Sequence, residues 1–166
     1  KEIDVLMDIF ATFKNNTQKL FVVNQSHSLA KELSQNIQHD FSLDEHCGAG
    51  YIATNFKQDG LTISFKINGV DFVLNQVGKH NMQNALAAVS VANQIGVDLT
   101  VCAKALLQYQ GIYRRHQVLG KKHGVWLIDD YAHHPAKCSA SQDAFHSIDT
   151  KVITWFQAQG YTPTKF

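Results

Sequence analysis

The spacing of apolar residues predicts the first elements of the chain. Apolar residues near the start recur at helical spacing and predict an amphipathic helix over residues 2–14: Ile3, Leu6, Ile9, Phe10 and Phe13. The short apolar run from Leu20 to Asn24 ends in turn-forming residues and predicts a buried strand. Ser26 or Ser28 can cap a following helix that reaches about Asn36. This order of strand and helix is typical of an α/β layer.

The middle of the chain changes from helical to alternating periodicity. Residues 51–56 predict one strand, and residues 61–67 alternate apolar and polar side chains, as half-buried strands do. Asn68-Gly69 is a hairpin-turn signal, and Val70–Leu74 is the expected return strand. This region is therefore predicted to be an antiparallel meander with one face toward solvent.

Helical spacing resumes after the meander. The alanine-rich stretch Asn81–Ile95 predicts a helix with its larger apolar side chains on one face, and Gly96 is expected to end it. A second helix is expected to begin at Thr100, its predicted N-cap, and to end by Gly111.

The last third of the chain again alternates strands with a helix, which predicts an α/β fold class. His116–Leu119 is a candidate strand with a turn at residues 120–124, and Val125–Ile128 is a predicted buried strand. A proline suits the first turn of a helix over residues 135–147. Lys151–Phe156 is the expected next strand, parallel to its neighbours.

Composition narrows the class of protein. The chain has 166 residues, 45% hydrophobic and 17% charged, which is typical of a globular protein with one compact domain or parts of two. The formal net charge is +1 with no basic or acidic block, so no nucleic-acid partner is predicted. No apolar stretch approaches the roughly 20 residues that span a bilayer, so no membrane partner is predicted either.

The cysteines and the two ends of the chain give weaker indications. Cys47, Cys102 and Cys138 are odd in number and form no CxxC pair, which argues against a disulfide framework or zinc site and indicates a reducing, cytoplasmic location. No signal-peptide pattern stands at the start. The first predicted helix lacks a capping residue and the last predicted strand lacks a covering helix. We therefore expect the natural chain to continue beyond both ends.

The stretch GKHNMQNALAA places polar side chains at the start of a predicted helix. His80 and Asn81 lie at its N-terminus, and Asn84 follows one turn later on the same side. An amide side chain both donates and accepts hydrogen bonds, so it can bind a purine edge. The helix N-terminus adds partial positive charge. The alternative is that Asn81 only caps the helix and Asn84 is a solvated surface residue.

An arginine pair follows the predicted glycine turn at Gly111. In Gly111-Ile112-Tyr113-Arg114-Arg115, the two guanidinium groups could bind phosphate in a bidentate manner. The alternative is a charge pair on the surface.

The stretch Asp129-Asp130-Tyr131-Ala132-His133-His134-Pro135 lies between a predicted strand and a predicted helix. Ligands in open α/β sheets bind beyond the carboxyl ends of strands, so a site is expected here. Two carboxylates, a phenol and two imidazoles are costly to bury as packing residues. Aspartate and histidine together can also hold a metal, but no ligand spacing here identifies one.

Three of these stretches, GKHNMQNALAA, GIYRR and IDDYAHHP, lie in this order within about sixty residues and closely resemble the Mur ligase family. The segment FQAQGYTPT is similar to the next motif of that family. The DDYAHHP form after a GxxRR motif is most like the members that add L-alanine. The members that recycle murein tripeptide are the nearest alternative.

The resemblance implies a fold and a reaction. Residues 1–110 would be the second half of the central ATPase domain, and residues 111–166 the first part of an incomplete Rossmann-like C-terminal domain. ATP would phosphorylate the carboxylate of UDP-N-acetylmuramate, and the amino group of L-alanine would attack the acyl phosphate. The chain contains no GxxxxGK[ST] phosphate loop. That loop and the Mg²⁺ ligands are expected upstream, and this chain alone is expected to be inactive.

The resemblance also implies roles for residues at matching positions. His80, Asn81 and Asn84 would contact adenine, while Arg115 would reach the nucleotide and assist catalysis. Three implied roles lie in the IDDYAHHP motif: Asp130 would bind the ATP ribose, Tyr131 and His134 would bind substrate, and His133 would bind substrate and assist catalysis. No metal ligand is implied within the chain.

Several residues depart from the family pattern. Gly160 and Pro163 stand where the family has arginines, His116 replaces an aromatic residue, and Ala136-Lys137 replaces Thr-Glu. Three alternatives therefore stay open: a diverged ligase with another acceptor, a non-catalytic Mur-like nucleotide-binding module, and an α/β domain of unrelated function.

Overall fold

The computed structural model of the chain describes residues 2–146, 148 and 151–158. Helices and strands are mixed along this part of the chain, so the predicted α/β class is confirmed. In chain order the elements are α1 (Glu2–Asn16), α2 (Ser28–Lys31), β1 (Phe41–Ser42), β2 (Tyr51–Asp59), β3 (Thr62–Ile67), β4 (Val70–Leu74), α3 (Lys79–Gln94), α4 (Leu99–Leu107), β5 (Gln117–Lys122), β6 (Val125–Asp129) and α5 (Pro135–His146).

The first sheet has the strand order β1-β2-β3-β4, with β1 parallel to β2 and the other pairs antiparallel. The turn between β3 and β4 has Asn68 and Gly69 at φ values of 47° and 86°. Two consecutive positive φ values are what a type I′ hairpin turn requires, and this explains why Asn-Gly stands here. The predicted antiparallel meander is confirmed.

Strand β2 carries a bulge opposite Phe65. The pairing with β3 shifts register between Thr54 and Lys57, so Asn55 and Phe56 together oppose one residue of β3. Asn55 has a φ of 56°, in the left-handed region that asparagine tolerates better than most residues. The extra residue returns Phe56 to the core side, where it packs against the core.

Helices α3 and α4 cover the sheet and close the core. Met82, Leu86 and Val89 are at most 2% exposed, and their spacing puts them on the face of α3 that meets the sheet. Gly96, at a φ of 100°, follows the end of α3 as predicted. The apolar core also includes these buried residues: Phe41, Tyr51, Ala53, Ile63, Phe65, Ile67, Phe72, Leu74, Ala85 and Cys102.

The predicted cap of α4 is wrong by two residues. Asp98, not Thr100, is the N-cap, and its carboxylate accepts the Thr100 backbone N–H at 2.8 Å and the Thr100 hydroxyl. Asp98 directly precedes the helix, where an N-cap must lie, whereas Thr100 lies inside the first turn and donates to it. The side-chain and backbone hydrogen bonds from Thr100 lower the pKa of Asp98. The helix ends at Leu107, before Gly111.

The predicted strand at residues 20–24 is not formed. A single parallel bridge pairs Asn24 with Phe41. The helix expected from Ser26 or Ser28 to Asn36 is one turn, Ser28–Lys31, and His27 caps it by accepting from the Ala30 N–H. Ser26 cannot cap this turn because its hydroxyl bonds the Ser42 hydroxyl at 2.8 Å and accepts from a backbone N–H.

A buried carboxylate holds this N-terminal segment to the sheet. Asp40 is 0% exposed and accepts the Val23 N–H at 2.9 Å, the Gln25 amide at 2.7 Å and the Ser34 hydroxyl. Three donors satisfy a carboxylate that would otherwise be costly to bury. The segment is therefore fixed by polar contacts where a strand ladder was predicted.

The predicted amphipathic helix is confirmed as α1, which extends to Asn16 and contains no buried residue. Six of its apolar side chains are exposed in this structure: Ile3, Val5, Leu6, Ile9, Phe10 and Phe13. Across the described residues, no helix has both the length and the apolar character that crossing a membrane requires.

The C-terminal part differs from its prediction in three respects. Strands β5 and β6 pair antiparallel, and their turn is at His123 and Gly124, so β5 is longer than predicted. Strand β6 was expected to be buried, but the side chains of Val125, Trp126 and Leu127 are 48–69% exposed. Residues 151–156 form no strand. Helix α5 is confirmed, while the division at residue 110 stays a prediction.

Candidate functional site

Helix α3 begins at a glycine whose conformation and surroundings exclude a side chain. Gly78 has a φ of 87°, and a Cβ there would lie 2.7 Å from the His80 ring and 2.8 Å from Ala144 Cβ. The Asn81 backbone N–H donates to the Gly78 carbonyl at 3.0 Å. The start of the helix is therefore packed directly against α5.

The two asparagines of α3 lie one turn apart, as predicted. Asn81 is half-buried and donates its amide to the Val77 carbonyl at 2.8 Å, so its interpretation as a helix cap is wrong. Asn84 is exposed and lies 3.5 Å from the Asn81 side-chain oxygen. Since the Val77 carbonyl orients Asn81, the pair presents donors and acceptors next to the helix N-terminus.

His80 connects this helix to the C-terminal part of the molecule. Its ring packs edge-on against the His116 ring, with centroids 5.0 Å apart. Burial is the main cause that lowers the pKa of His80, and the neighbouring His116 lowers it further, against the opposite effect of Asp130. A neutral imidazole is therefore favoured at this position.

His116 lies at the contact between helix α3 and the C-terminal part of the molecule, which contains β5, β6 and α5. It is 8% exposed, and its Nε2 is 2.8 Å from Asp130 Oδ2 and 3.0 Å from Ser141 Oγ. The Phe145 ring also packs edge-on against the His116 ring, with centroids 5.2 Å apart. The φ of His116 is 44°, so its backbone is held in the left-handed region.

Asp130 has donors on both carboxylate oxygens. The Ser141 hydroxyl donates to Oδ2 at 2.9 Å, as His116 does, and the Ala132 N–H donates to Oδ1 at 3.0 Å. Burial raises the pKa of Asp130, but the hydrogen bonds from His116 and Ser141 outweigh it, so the pKa is lowered overall. The group is therefore an anion at neutral pH.

The Asp130–His116–Ser141 cluster is not arranged as a nucleophilic triad. A triad needs the carboxylate on one imidazole nitrogen and the hydroxyl on the other. Here both partners meet Nε2, and the serine hydroxyl donates to the carboxylate. The cluster orients a carboxylate and does not activate Ser141.

The loop after Asp130 holds the predicted substrate residues. His133 Nδ1 bonds the Tyr131 carbonyl at 2.9 Å, and because a carbonyl only accepts, Nδ1 carries the hydrogen. In the neutral ring, Nε2 then has a lone pair that can accept a proton. His134 Nδ1 accepts the Ala136 N–H at 3.4 Å, so this side chain contacts the first turn of α5.

The two arginines are in different environments. Arg114 contacts Asp129 at 3.2 Å and its guanidinium lies 5.1 Å from the centre of the Tyr131 ring. Arg115 is exposed, and its backbone N–H donates to the Ile112 carbonyl at 3.0 Å. Because Arg114 is occupied by these contacts, a bidentate phosphate clamp from both arginines is not formed here.

One glutamine joins three elements at this junction. Gln58 of β2 accepts the Gly78 N–H at 2.9 Å and donates to the Ala144 carbonyl at 2.8 Å. A cleft of about 300 Å³ opens beside it, lined by Phe56, Gln58, Gly78, Lys79, His80, Ala140, Asp143 and Ala144. A second cleft of about 270 Å³ lies at His116 and contains four carboxamide side chains, Asn75, Gln76, Gln110 and Gln117.

The structure brings the three predicted site segments together: His80 meets Asp130 through His116, and Arg114 contacts Asp129 and the Tyr131 ring. Sequence reasoning did not identify Ser141 or Gln58, which lie outside the motifs. His116 was predicted to begin a strand and was noted as a departure from a family pattern, without a role in the site. Within residues 2–146, 148 and 151–158, no three His, Cys, Asp or Glu residues group closely enough to hold a metal ion. The FQAQGYTPT segment lies largely outside the described residues.

Comparison with curated proteins finds ligases along nearly the whole chain. A Synechocystis protein named UDP-N-acetylmuramate–L-alanine ligase is 32% identical over 169 residues, which is 96% of this chain and 33% of that protein. A Synechococcus protein of the same name is 32% identical over 93% of this chain and 31% of its own length. The chain thus spans about a third of the length of these relatives. No protein-family model matches it.

Solved structures share the fold. The UDP-N-acetylmuramate–alanine ligase MurC of Thermotoga maritima superposes with a TM-score of 0.72 at 22% identity, covering 83% of this chain and 32% of that one. MurF of Acinetobacter baumannii gives 0.73 at 24% identity over 88% of this chain and 34% of its own. Folylpolyglutamate synthetase of Lactobacillus casei gives 0.67 at 15% identity, covering 90% and 41%.

Proposed function

Since this chain belongs to the Mur ligase family, we propose that it forms the adenosine-binding junction of an ATP-dependent ligase of peptidoglycan synthesis. The ligase joins L-alanine to UDP-N-acetylmuramate. The shared fold does not select this substrate, because a folylpolyglutamate synthetase has it too. The L-alanine assignment is supported instead by the names of the sequence relatives that align along 93–96% of the chain.

The contact between His80 and Asp130 through His116 carries the proposal. The His116 imidazole lies between His80, at the α3 N-terminus, and Asp130, in the loop after β6, and contacts both. Adenosine needs amide groups for its base and an acceptor for its ribose hydroxyls. Asn84, Asn81 and the Asp130 carboxylate provide these groups on the two sides of the junction.

The remaining groups have roles toward the phosphates and the acceptor. Arg115 is exposed and free of the contacts that occupy Arg114, so it is the arginine that reaches the nucleotide phosphates. His133, with its hydrogen on Nδ1, offers Nε2 to the amino group of the incoming alanine. Tyr131, whose ring lies 4.8 Å from the His133 ring, and His134 are assigned to substrate binding. ATP, when bound, supplies the phosphoryl group that activates the muramyl carboxylate.

Calorimetric titration of this chain with ADP and with GDP tests the nucleotide assignment. We expect weak ADP binding, weaker GDP binding, and a loss of about fivefold to tenfold in ADP affinity for Asn84→Ala, because one amide contact is removed. Asn15→Ala, which changes an exposed asparagine of α1, is the matched control and should bind as the unaltered chain does. No ADP binding, or equal binding of ADP and GDP, contradicts the proposal.

Titration with amino acids in the presence of ADP tests the acceptor. L-Alanine should shift NMR signals of residues 131–134 at lower concentration than D-alanine or glycine does, and His133→Ala should reduce the effect. A response that does not distinguish these amino acids would contradict the L-alanine assignment while leaving the nucleotide assignment intact.

A further inference from the structure

We propose that His116 is a positioning residue that orients the Asp130 carboxylate for a ribose hydroxyl. The inference rests on the proposed function, because it assigns a ligand to Asp130. The inference adds to the site His116, which lies outside the loop that carries Asp130. It also identifies which oxygen of the Asp130 carboxylate accepts the ribose hydroxyl.

The hydrogen bonds of Asp130 leave its two oxygens in different states. Oδ2 accepts from both His116 Nε2 and Ser141 Oγ, so its two lone pairs are used. Oδ1 accepts the Ala132 N–H and keeps one lone pair. The Asp130 side chain is 17% exposed, so it is not fully enclosed by the protein. Oδ1 is therefore the atom that can accept a hydroxyl hydrogen.

The position of His116 is fixed by contacts on several sides. The rings of His80 and Phe145 both pack edge-on against the His116 ring, while Ser141 and Asp130 meet its Nε2. A non-glycine residue at positive φ costs conformational energy, which the surrounding contacts must offset. A ring held in this way fixes the direction of its N–H, and hence the rotation of the carboxylate that receives it.

The same contact joins the two halves of the proposed adenosine site. His80 is next to Asn81 in the first turn of α3, and its ring touches the imidazole that holds Asp130. The base-binding side and the ribose-binding side are thus kept at a fixed separation. We infer that His116 affects a nucleotide mainly through its ribose and little through its base.

Binding of ADP and of 2′,3′-dideoxy-ADP to the chain and three variants tests this inference. His116→Phe keeps a ring against His80 and Phe145 but removes the donor. His116→Gln keeps an N–H that can reach Asp130, and Asp130→Asn changes the receiving group. We expect His116→Phe and Asp130→Asn to weaken ADP binding about fivefold and to leave dideoxy-ADP binding unchanged. His116→Gln should recover most of the ADP affinity. Thermal unfolding of each variant confirms that it is folded.

Each outcome has a defined meaning. An equal loss for both nucleotides in His116→Phe would overturn the inference, because a general structural defect does not depend on the ribose hydroxyls. Unchanged ADP binding in either His116→Phe or Asp130→Asn would overturn the inference as well. The proposed function would still stand in that case if Asn84→Ala loses the adenine-dependent binding. If the unaltered chain binds no ADP, the proposed function and the inference fail together.

Discussion

The four-stranded sheet with α3 and α4 and the β5–β6 hairpin with α5 contain similar apolar residues but bury them to different degrees. Every buried member of the apolar core lies between Phe41 and Cys102. In the hairpin, by contrast, Val125 is 69% exposed and Leu127 is 63% exposed. In α5 the buried residue is Ala144. The first region is therefore stabilised by its own packing, whereas a two-stranded hairpin with an exposed apolar face gains little from burial.

The second region is attached to the first by directional contacts. Gln58 bonds Ala144, and His80 packs on His116, which in turn bonds Asp130. Hydrogen bonds and ring contacts fix an orientation without contributing much net free energy. Changes in the first region should therefore unfold the protein, while changes at the junction should release the C-terminal part and leave the core folded.

The largest difference is expected between Phe72→Ala and Trp126→Ala. Phe72 is 1% exposed and stacks on Phe65 at 5.8 Å, so its removal should cost about 3–5 kcal/mol in the free energy of unfolding. Trp126 is 48% exposed, and its removal should cost about 1 kcal/mol or less. Urea unfolding followed by circular dichroism measures both. Equal costs would show that the hairpin is as well packed as the core.

A smaller loss is expected for Asp40→Asn, which tests the polar attachment of the N-terminal segment. The amide would turn an N–H toward Gln25 or Ser34, where the carboxylate now accepts. A buried mismatch of this kind should cost about 2 kcal/mol in the free energy of unfolding. Asp59→Asn changes an exposed aspartate of β2 and should leave urea unfolding unchanged. Similar urea-unfolding midpoints for Asp40→Asn and Asp59→Asn would contradict the stabilising role of the Asp40 carboxylate.

Gln58→Ala should separate attachment from folding. It removes the hydrogen bonds to Gly78 and Ala144, so opening of the junction should become easier by about 1–2 kcal/mol. Hydrogen exchange followed by mass spectrometry should show faster exchange in α5 and unchanged exchange in α3. Gln83→Ala, a change on α3 itself, is the control. Faster exchange throughout both helices would mean that the two regions unfold as one unit.

The smallest effect is expected from the pH dependence of His80. Its pKa is lowered in the folded protein, so the folded state favours the neutral ring. The associated stability is present above the ordinary histidine value of about 6.5 and is lost as the pH falls below it. His80→Gln should therefore lose less stability between pH 7.5 and pH 5 than the unaltered chain. His46→Gln, at an exposed histidine, should behave like the unaltered chain in urea unfolding at both pH values.

The elements best predicted from sequence were those whose signals are local. The Asn68-Gly69 turn has the positive φ values that this residue pair favours, and the alternation in β3 fixes which side faces the core. Among the described residues, the stretch expected as a strand at 20–24 forms one bridge, to Phe41, and its Val23 N–H bonds the Asp40 side chain in place of a partner strand. Apolar composition alone does not determine whether a partner strand is present.

The residues of the site that could be predicted are also those whose signals are local. Asn81, Asn84 and Asp130 belong to contiguous motifs, so their proximity to a helix start or strand end could be inferred. Ser141 has no such signal, because its contact with His116 depends on how α5 packs. The exposure of β6 was missed because four apolar residues in a row predict burial without indicating what would cover them.

The bulge in β2 determines which side chain of the strand faces the junction. Side chains alternate between the two faces of a strand, so one extra residue inverts the alternation for everything that follows. If β2 paired with β3 without the bulge, Asn55 would oppose Phe65, and Lys57 would take the place from which Gln58 now bridges Gly78 and Ala144. An ammonium group can donate but cannot accept the Gly78 N–H. The bulge, in a strand that contacts no predicted ligand, thus determines whether Gln58 or Lys57 faces the junction between the two halves of the site.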